Sequence, residues 1–240
     1  MKIGILKCDS TNMEFRAEHG NYPDMFISIF QSVDKSIEFE IFDVQFSQYP
    51  NSLEECDAYL ITGSRFSVYD KEDWIQKLED YVIELHKRKY PLIGICFGHQ
   101  IVAKALGGKT ELAPQGWGAG VHKYSKIFSK PWLMPALEDF SLIVSHQDQV
   151  TELPEGAELL AESKFCPYAA FSIGEHILTF QGHPEFSKAF SKALIDLRKN
   201  KLGEAVYLES LKSLEEPIHS EIIIQWITNF LSHAVYSLKN

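Results

Sequence analysis

"LIGICFGHQIV", residues 92–102, runs from an unbroken apolar stretch into a cysteine with a glycine two residues away on either side. A short apolar run of this kind reads as a strand buried on both faces of a sheet. "GHQIVAKAL" (98–106) then reads as a helix, closed by Gly107 and Gly108. A strand that passes directly into a helix pushes the junction residue out above the carboxyl edge of the sheet, where parallel α/β proteins place their ligands. Such a turn crowds the positions two residues to either side, and these are Gly94 and Gly98. Gly94-Ile95-Cys96-Phe97-Gly98 therefore has the pattern of a nucleophile elbow with sulfur in place of a hydroxyl. The helix N-terminus behind Cys96 carries partial positive charge, which favours thiolate. The competing reading of a cysteine in an apolar strand is a small hydrophobe packed in a core.

The segments around the elbow repeat the alternation of strand and helix. "KIGIL" (2–6), "EFEIFDV" (38–44), "AYLITG" (58–63) and "PLIGIC" (91–96) read as strands. Between them, residues 22–33 and 70–88 carry apolar side chains at three- and four-residue spacing, as amphipathic helices do. This order predicts an α/β fold of flavodoxin-like character: a mainly parallel sheet with right-handed crossovers and helices on both faces. Residues 119–128, 141–146, 157–163, 168–174 and 176–182 read as a β-rich addition that returns to the main sheet, with a hairpin turning at Gly174-Glu175. From Ser187 to Asn240 the pattern is helical throughout, and Ile218, Ile222, Ile223, Trp226, Ile227, Phe230, Leu231 and Val235 share one broad face. That face packs on its own domain or makes a homodimer. The expected organisation is one domain, 1–240, with a core over about 1–190 and a helical extension over about 191–240.

A chain of 240 residues that is 45% hydrophobic and 12% aromatic can bury an ordinary core without disulfide or metal staples. Its formal net charge is -10, and its longest basic run is "HKRK" at 86–89, which argues against nucleic acid or an anionic membrane as main partner. No apolar stretch approaches the roughly 18 to 20 residues of a membrane helix. The start, "MKIGILKCDS", is too short in its apolar part for a signal peptide, so a cytoplasmic location is expected. The four cysteines, at 8, 56, 96 and 166, have no CxxC spacing and no paired histidines, so neither a disulfide framework nor a zinc site is expected. Cys8, Cys56 and Cys166 lack the elbow and read as packing residues.

A thiolate that attacks an amide or ester needs a base. His183 follows the apolar segment "ILTFQG", which puts it, like Cys96, at the carboxyl end of a strand, and Glu185 lies two residues on. In "QGHPEF", Pro184 fixes one backbone dihedral between imidazole and carboxylate. A carboxylate held against imidazole fixes its tautomer and stabilises its charged form, the role of a third triad member. Taken in isolation, the same pair also reads as an ordinary surface turn.

Together "GICFGHQ" and the distant "QGHPE" resemble the class I glutamine amidotransferases, in the order nucleophile, histidine, then glutamate two residues later. "ITGS" (61–64) resembles the oxyanion strand of that family, and "SHQDQV" (145–150) resembles the segment beside its bound glutamine. The resemblance implies that Cys96 attacks the side-chain amide carbon of glutamine to form a γ-glutamyl thioester. It further implies that His183 gives a proton to departing ammonia and then activates water, while Glu185 orients the imidazole. Backbone N–H groups near Gly63 or Ser64 and at Phe97 would hold the oxyanion. Gln100, one helical turn beyond the nucleophile, would contact substrate, and His146, Gln147 and Asp148 would line the pocket, mainly through backbone. Trp117 is either a wall of the site or the anchor of a loop. No metal or organic cofactor is expected, because cysteine and imidazole supply the chemistry.

No pyrophosphatase-type or Walker-type glycine loop is present for a synthetase half. Three readings remain open. The chain is a free-standing hydrolase or transferase acting on glutamine or a γ-glutamyl compound, and "GSRFSVYDKEDWIQKL" and "SHQDQVTELPEGAELLAES" resemble the γ-glutamyl peptidase branch of the GMP synthase-like amidotransferases. Alternatively it is the glutaminase subunit of a two-chain synthetase, awaiting a synthetase or acceptor partner. The third reading is a non-catalytic thiol sensor on a related fold.

Overall fold

The computed structural model describes residues 1–125 and 130–239. Strands β1 (Lys2–Lys7), β2 (Glu38–Asp43), β3 (Ala58–Ile61) and β4 (Leu92–Ile95) pair in parallel in the spatial order β2-β1-β3-β4. Strand β11 (Ile177–Phe180) joins parallel to β4, and β10 (Ala170–Ile173) and β9 (Ala157–Ala161) complete seven strands in antiparallel fashion. The predicted mainly parallel sheet is therefore present, and the hairpin turns at Gly174-Glu175 as read. Strands β3 and β4 are buried at every position, which is why their sequences are continuous apolar runs instead of alternating ones.

Helices cover both faces. On one side, α2 (Tyr22–Val33) and α8 (Ser220–Lys239) bring Phe26, Phe30, Trp226 and Phe230 against Ile3, Ile5, Ile93 and Leu178. On the other, α3 (Asp73–Lys87) and α4 (Phe97–Ala105) bring Ile75, Leu78, Val82 and Ile101 against Leu6, Ile61, Leu92 and Ile177. Helix α2 starts where it does because Asn21 and Asp24 form a reciprocal capping box and Pro23 sits in the first turn. A short helix, α1 (Met13–His19), precedes it and was not anticipated: none of its residues is buried, so it carries no apolar periodicity to read.

The β-rich addition makes two further pairs. Strands β6 (Gly118–Ser125) and β7 (Asp139–His146) form an antiparallel ribbon, and β5 (Lys109–Leu112) pairs with β8 (Asp148–Glu152). Strands β5 and β8 left no pattern to read in the sequence, being short and mostly polar. The strand read at 119–128 is present to Ser125, and its remainder, Lys126, Ile127 and Phe128, lies outside the described residues.

The C-terminal region is not helical throughout. It divides into α5 (Lys188–Leu197), α6 (Lys199–Leu202), α7 (Glu204–Ser213) and α8. Gly203, at φ 77°, separates α6 from α7, and residues 214–219, with Pro217, separate α7 from α8. Asn240 lies outside the described residues. The apolar face of α8 is spent within the chain: Ile223, Trp226, Ile227, Phe230 and Leu231 are at most 1% exposed, and Trp226 Nε1 donates to the Pro135 carbonyl. That removes this face as a reason to expect a homodimer. No helix among the described residues is long and apolar enough to cross a membrane.

The junction of β4 and α4 leaves no room for a side chain at either glycine. A Cβ on Gly94 would stand 2.6 Å from the Gly98 carbonyl oxygen, and one on Gly98 would stand 2.4 Å from that of Ile61. Both obstacles are backbone, so neither can swing aside. Gly98→Ala is expected to destabilise the chain by about 1–3 kcal/mol, as overpacking does. Urea denaturation measures this; an unchanged midpoint would show that the helix does not lie as close to β3 as described.

Candidate active site

Cys96 occupies the last position before α4 with φ 54° and ψ -101°, one of three non-glycine residues at positive φ among those described. A side chain held there costs of order 1–3 kcal/mol and persists only where its surroundings over-determine it. Here they do. The Cys96 amide donates to the Phe180 carbonyl of β11 at 2.9 Å, and its carbonyl accepts the first helical bond, from Gln100. The elbow read from the sequence is thus present, and its sulfur-bearing residue is 5% exposed at the carboxyl edge of the sheet.

The other two members of the predicted set converge on it. His183 follows β11 and is pinned sideways, its amide donating to the Ile143 carbonyl of β7 at 2.8 Å. Its Nδ1 lies 2.8 Å from Glu185 Oε1, which leaves Nε2 for the Cys96 side. His183 is 3% exposed and Glu185 6%. Burial alone would strip the proton from the imidazole, but the Glu185 carboxylate and Cys96 together outweigh it and raise the pKa to about 10. Phe186 stacks on the imidazole at 3.9 Å and 7° between planes, and Tyr22 stacks on Phe186 in turn.

The other three thiols behave as packing residues. Each is at most 2% exposed, and burial pushes Cys56 up to about 11, Cys166 up to about 12 and Cys8 well above its ordinary range.

The loop after β3 faces the elbow. A Cβ on Gly63 would lie 3.0 Å from His183 Cε1 and 3.7 Å from Cys96 Cβ, so the loop backbone itself forms this wall. None of the hydrogen bonds among the described residues uses the amide of Gly63 or Phe97. The loop is anchored to the exit of β1. Thr62 Oγ1 accepts from the Cys8 amide, Ser64 Oγ donates to the Cys8 carbonyl, and the buried Asp9 carboxylate accepts the Arg65 amide and its guanidinium. Asp9 was missed in the sequence, although its place two residues beyond an apolar strand was a usable signal.

A cleft opens on Cys96 and is lined by Ser64, Gln100, Trp117, His146, Gln147 and Asp148, among others. All the predicted substrate-side residues except Gly63 and Phe97 meet there. Gly63 lines a second, smaller lobe with Tyr22, Cys96, His183, Phe186 and Leu194. Phe97 does not line either lobe with its side chain, which packs tilted against Trp74 in the core; only its backbone is in position. Gln100 differs from a simple substrate contact: its Nε2 donates to the Asp148 carbonyl and to Gln181 Oε1, so it first holds the wall of the cleft. His146 Nδ1 is 3.0 Å from the same Asp148 carbonyl, and burial, aided by His122, lowers its pKa to about 3, which keeps it neutral. Arg65 and Arg198 line both lobes. Arg198 had no local signal, since it comes from the far end of α5. Among the described residues no group of three or more His, Cys, Asp or Glu side chains is placed to hold a metal ion.

Because the folded state binds the His183 proton more tightly than an unfolded chain, the stability tied to it is complete below the ordinary histidine value. It is lost as pH rises through about 10. Replacing Glu185 by Gln removes a group that holds the proton, so the His183 titration is expected to move to lower pH. The imidazole Cε1–H resonance reports this directly; equal midpoints in Glu185→Gln and the parent would contradict the assignment.

Comparisons with known proteins identify the family. The family description "Glutamine amidotransferase class-I" matches residues 22–196. Gamma-glutamyl peptidase 3 of Arabidopsis thaliana is 34% identical over 230 residues, covering 92% of this chain and 90% of that protein. A putative glutamine amidotransferase of Saccharomyces cerevisiae is 36% identical over 200 residues, covering 78% and 79%. Among solved structures, a glutamine amidotransferase of Thermotoga maritima superposes with a TM-score of 0.74 at 20% identity, covering 97% of each chain. The chain belongs to the class I glutamine amidotransferase family.

Proposed function

We propose that the chain hydrolyses the γ-amide bond of glutamine or of γ-glutamyl peptides through a Cys96-His183-Glu185 triad. The observation that carries this is the burial of all three side chains around one elbow, with the imidazole held charged beside the sulfur. The Cys96 thiolate adds to the amide carbon. The resulting oxyanion is received by the free amides of Gly63 and Phe97, each such donor contributing roughly 2.7–4 kcal/mol to transition-state stabilisation. His183 gives its proton to the departing nitrogen, the C–N bond breaks, and ammonia or an amine leaves as a γ-glutamyl thioester remains. The now neutral His183 takes a proton from water, hydroxide adds to the thioester carbon, and the thiolate departs with release of glutamate. Glu185 holds the imidazole in one tautomer throughout.

Peptides are included as substrates for two reasons. The cleft continues past Cys96 into the lobe beside His183, where the departing group must lie to receive its proton. A relative that is 34% identical and covers 92% of this chain is named a gamma-glutamyl peptidase.

The test is to incubate the purified chain with glutamine and with γ-glutamyl dipeptides and to measure the ammonia or amine released. Turnover is expected with the chain alone, and Cys96→Ser is expected to lower it by roughly 10⁴-fold or more. Undiminished turnover by Cys96→Ser would refute the mechanism. Silence relieved only by a synthetase partner would replace the free-standing reading with that of a glutaminase subunit.

A further inference from the structure

Arg198 belongs to none of the elements that build the elbow, yet it lines both lobes of the cleft together with Cys96. It caps the C-terminal end of α5 and is half-buried. Two contacts fix its guanidinium: Nη1 donates to Ser145 Oγ, and the group lies 5.3 Å from the centroid of the Trp117 ring. Both of those neighbours line the same cleft. No carboxylate among the described residues forms an ion pair with it.

Its neighbour Arg65 makes the contrast plain. Arg65 is neutralised by Asp9, with Nη2 2.7 Å from Oδ1 and Nε 2.9 Å from Oδ2. Arg198 is therefore an uncompensated, oriented positive charge beside the nucleophile, in a chain whose net charge is -10. With one amino group committed to Ser145, the guanidinium still presents donors in the planar arrangement that matches a carboxylate.

We propose that Arg198 is a specificity-determining residue that binds a carboxylate of the substrate. This rests on the reading of the site as a γ-glutamyl hydrolase, whose substrates carry that group in two places. One is the α-carboxylate of the glutamyl half, shared by glutamine and every γ-glutamyl peptide. The other is the carboxylate of the departing amino acid or peptide, which glutamine lacks. Because Arg198 stands where the two lobes meet, it can serve either source, and the choice decides whether the site favours peptides over glutamine.

The test measures binding, so that it does not depend on turnover. In a Cys96→Ser background, titration calorimetry compares γ-glutamylglycine with its glycyl amide and with its glutamyl α-amide, each with Arg198 present and in Arg198→Met. With Arg198 present, amidating the carboxylate it holds is expected to weaken binding roughly 10- to 100-fold. In Arg198→Met the same amidation is expected to change affinity by less than about twofold. The amide that shows this coupling identifies the source. Equal losses in both proteins, or no binding by any of the three compounds, would overturn the proposal. Should Arg198→Met fail to fold, Arg198→Gln takes its place with the same expectation. Coupled binding without hydrolysis by the parent chain would refute the hydrolase reading alone, whereas hydrolysis without coupling would refute only the role of Arg198.

Discussion

Everything at this site depends on how closely the backbone of α4 approaches β3 and β4. With Gly94 and Gly98 carrying no Cβ, the chain turns from strand to helix within one residue, and that residue is left at a positive φ with its side chain above the sheet edge. The close approach also sets what surrounds the sulfur. It places the Gly63 backbone against Cys96, it brings the orphan amide of Phe97 to the start of the helix, and it aligns β11 so that His183 emerges at the same edge. Removing either space would shift the helix, and the site would move with it.

The second determinant is a contest between burial and charge. An imidazole this deeply enclosed would be neutral by desolvation alone, as His99 and His146 are, both lowered to about 3. His183 goes the other way because Glu185 and Cys96 flank it in a medium where charges are poorly screened. Phe186 lies flat on the imidazole, a face-on aromatic contact that further favours the cation and holds the ring in plane. The β6/β7 ribbon completes the arrangement by gripping the His183 backbone through Ile143. The β-rich addition is therefore a clamp on His183, and α5, which begins just after Glu185, carries the chain on to Arg198 in the cleft.

The elbow was legible because its geometry permits only glycine at two fixed offsets, and the pairing of His183 with Glu185 because a proline holds the two side by side after an apolar strand. Local spacing recorded both. The β1, β3 and β4 strands were legible for the same kind of reason: buried on both faces, they have no choice of side chain. What escaped was set by contacts distant in sequence. Asp9 acts through a loop more than fifty residues on, and Phe186 matters only because of the ring it happens to face. Arg198 reaches the cleft from the end of a helix whose register relative to β7 no local pattern encodes. The breaks at Gly203 and Pro217 were visible as residues, and both fall before the apolar face that begins at Ile218.

In the proposed mechanism Cys96 forms a covalent bond to the γ-carbonyl carbon of its substrate. The most direct measurement is intact-protein mass spectrometry of the chain quenched in acid during turnover of a γ-glutamyl peptide, followed by mapping of the modified fragment. One glutamyl group is expected, carried on the fragment containing Cys96 and absent from Cys96→Ser. A glutamyl group on Cys8, Cys56 or Cys166, or steady turnover in which Cys96→Ser acquires the same adduct, would contradict it.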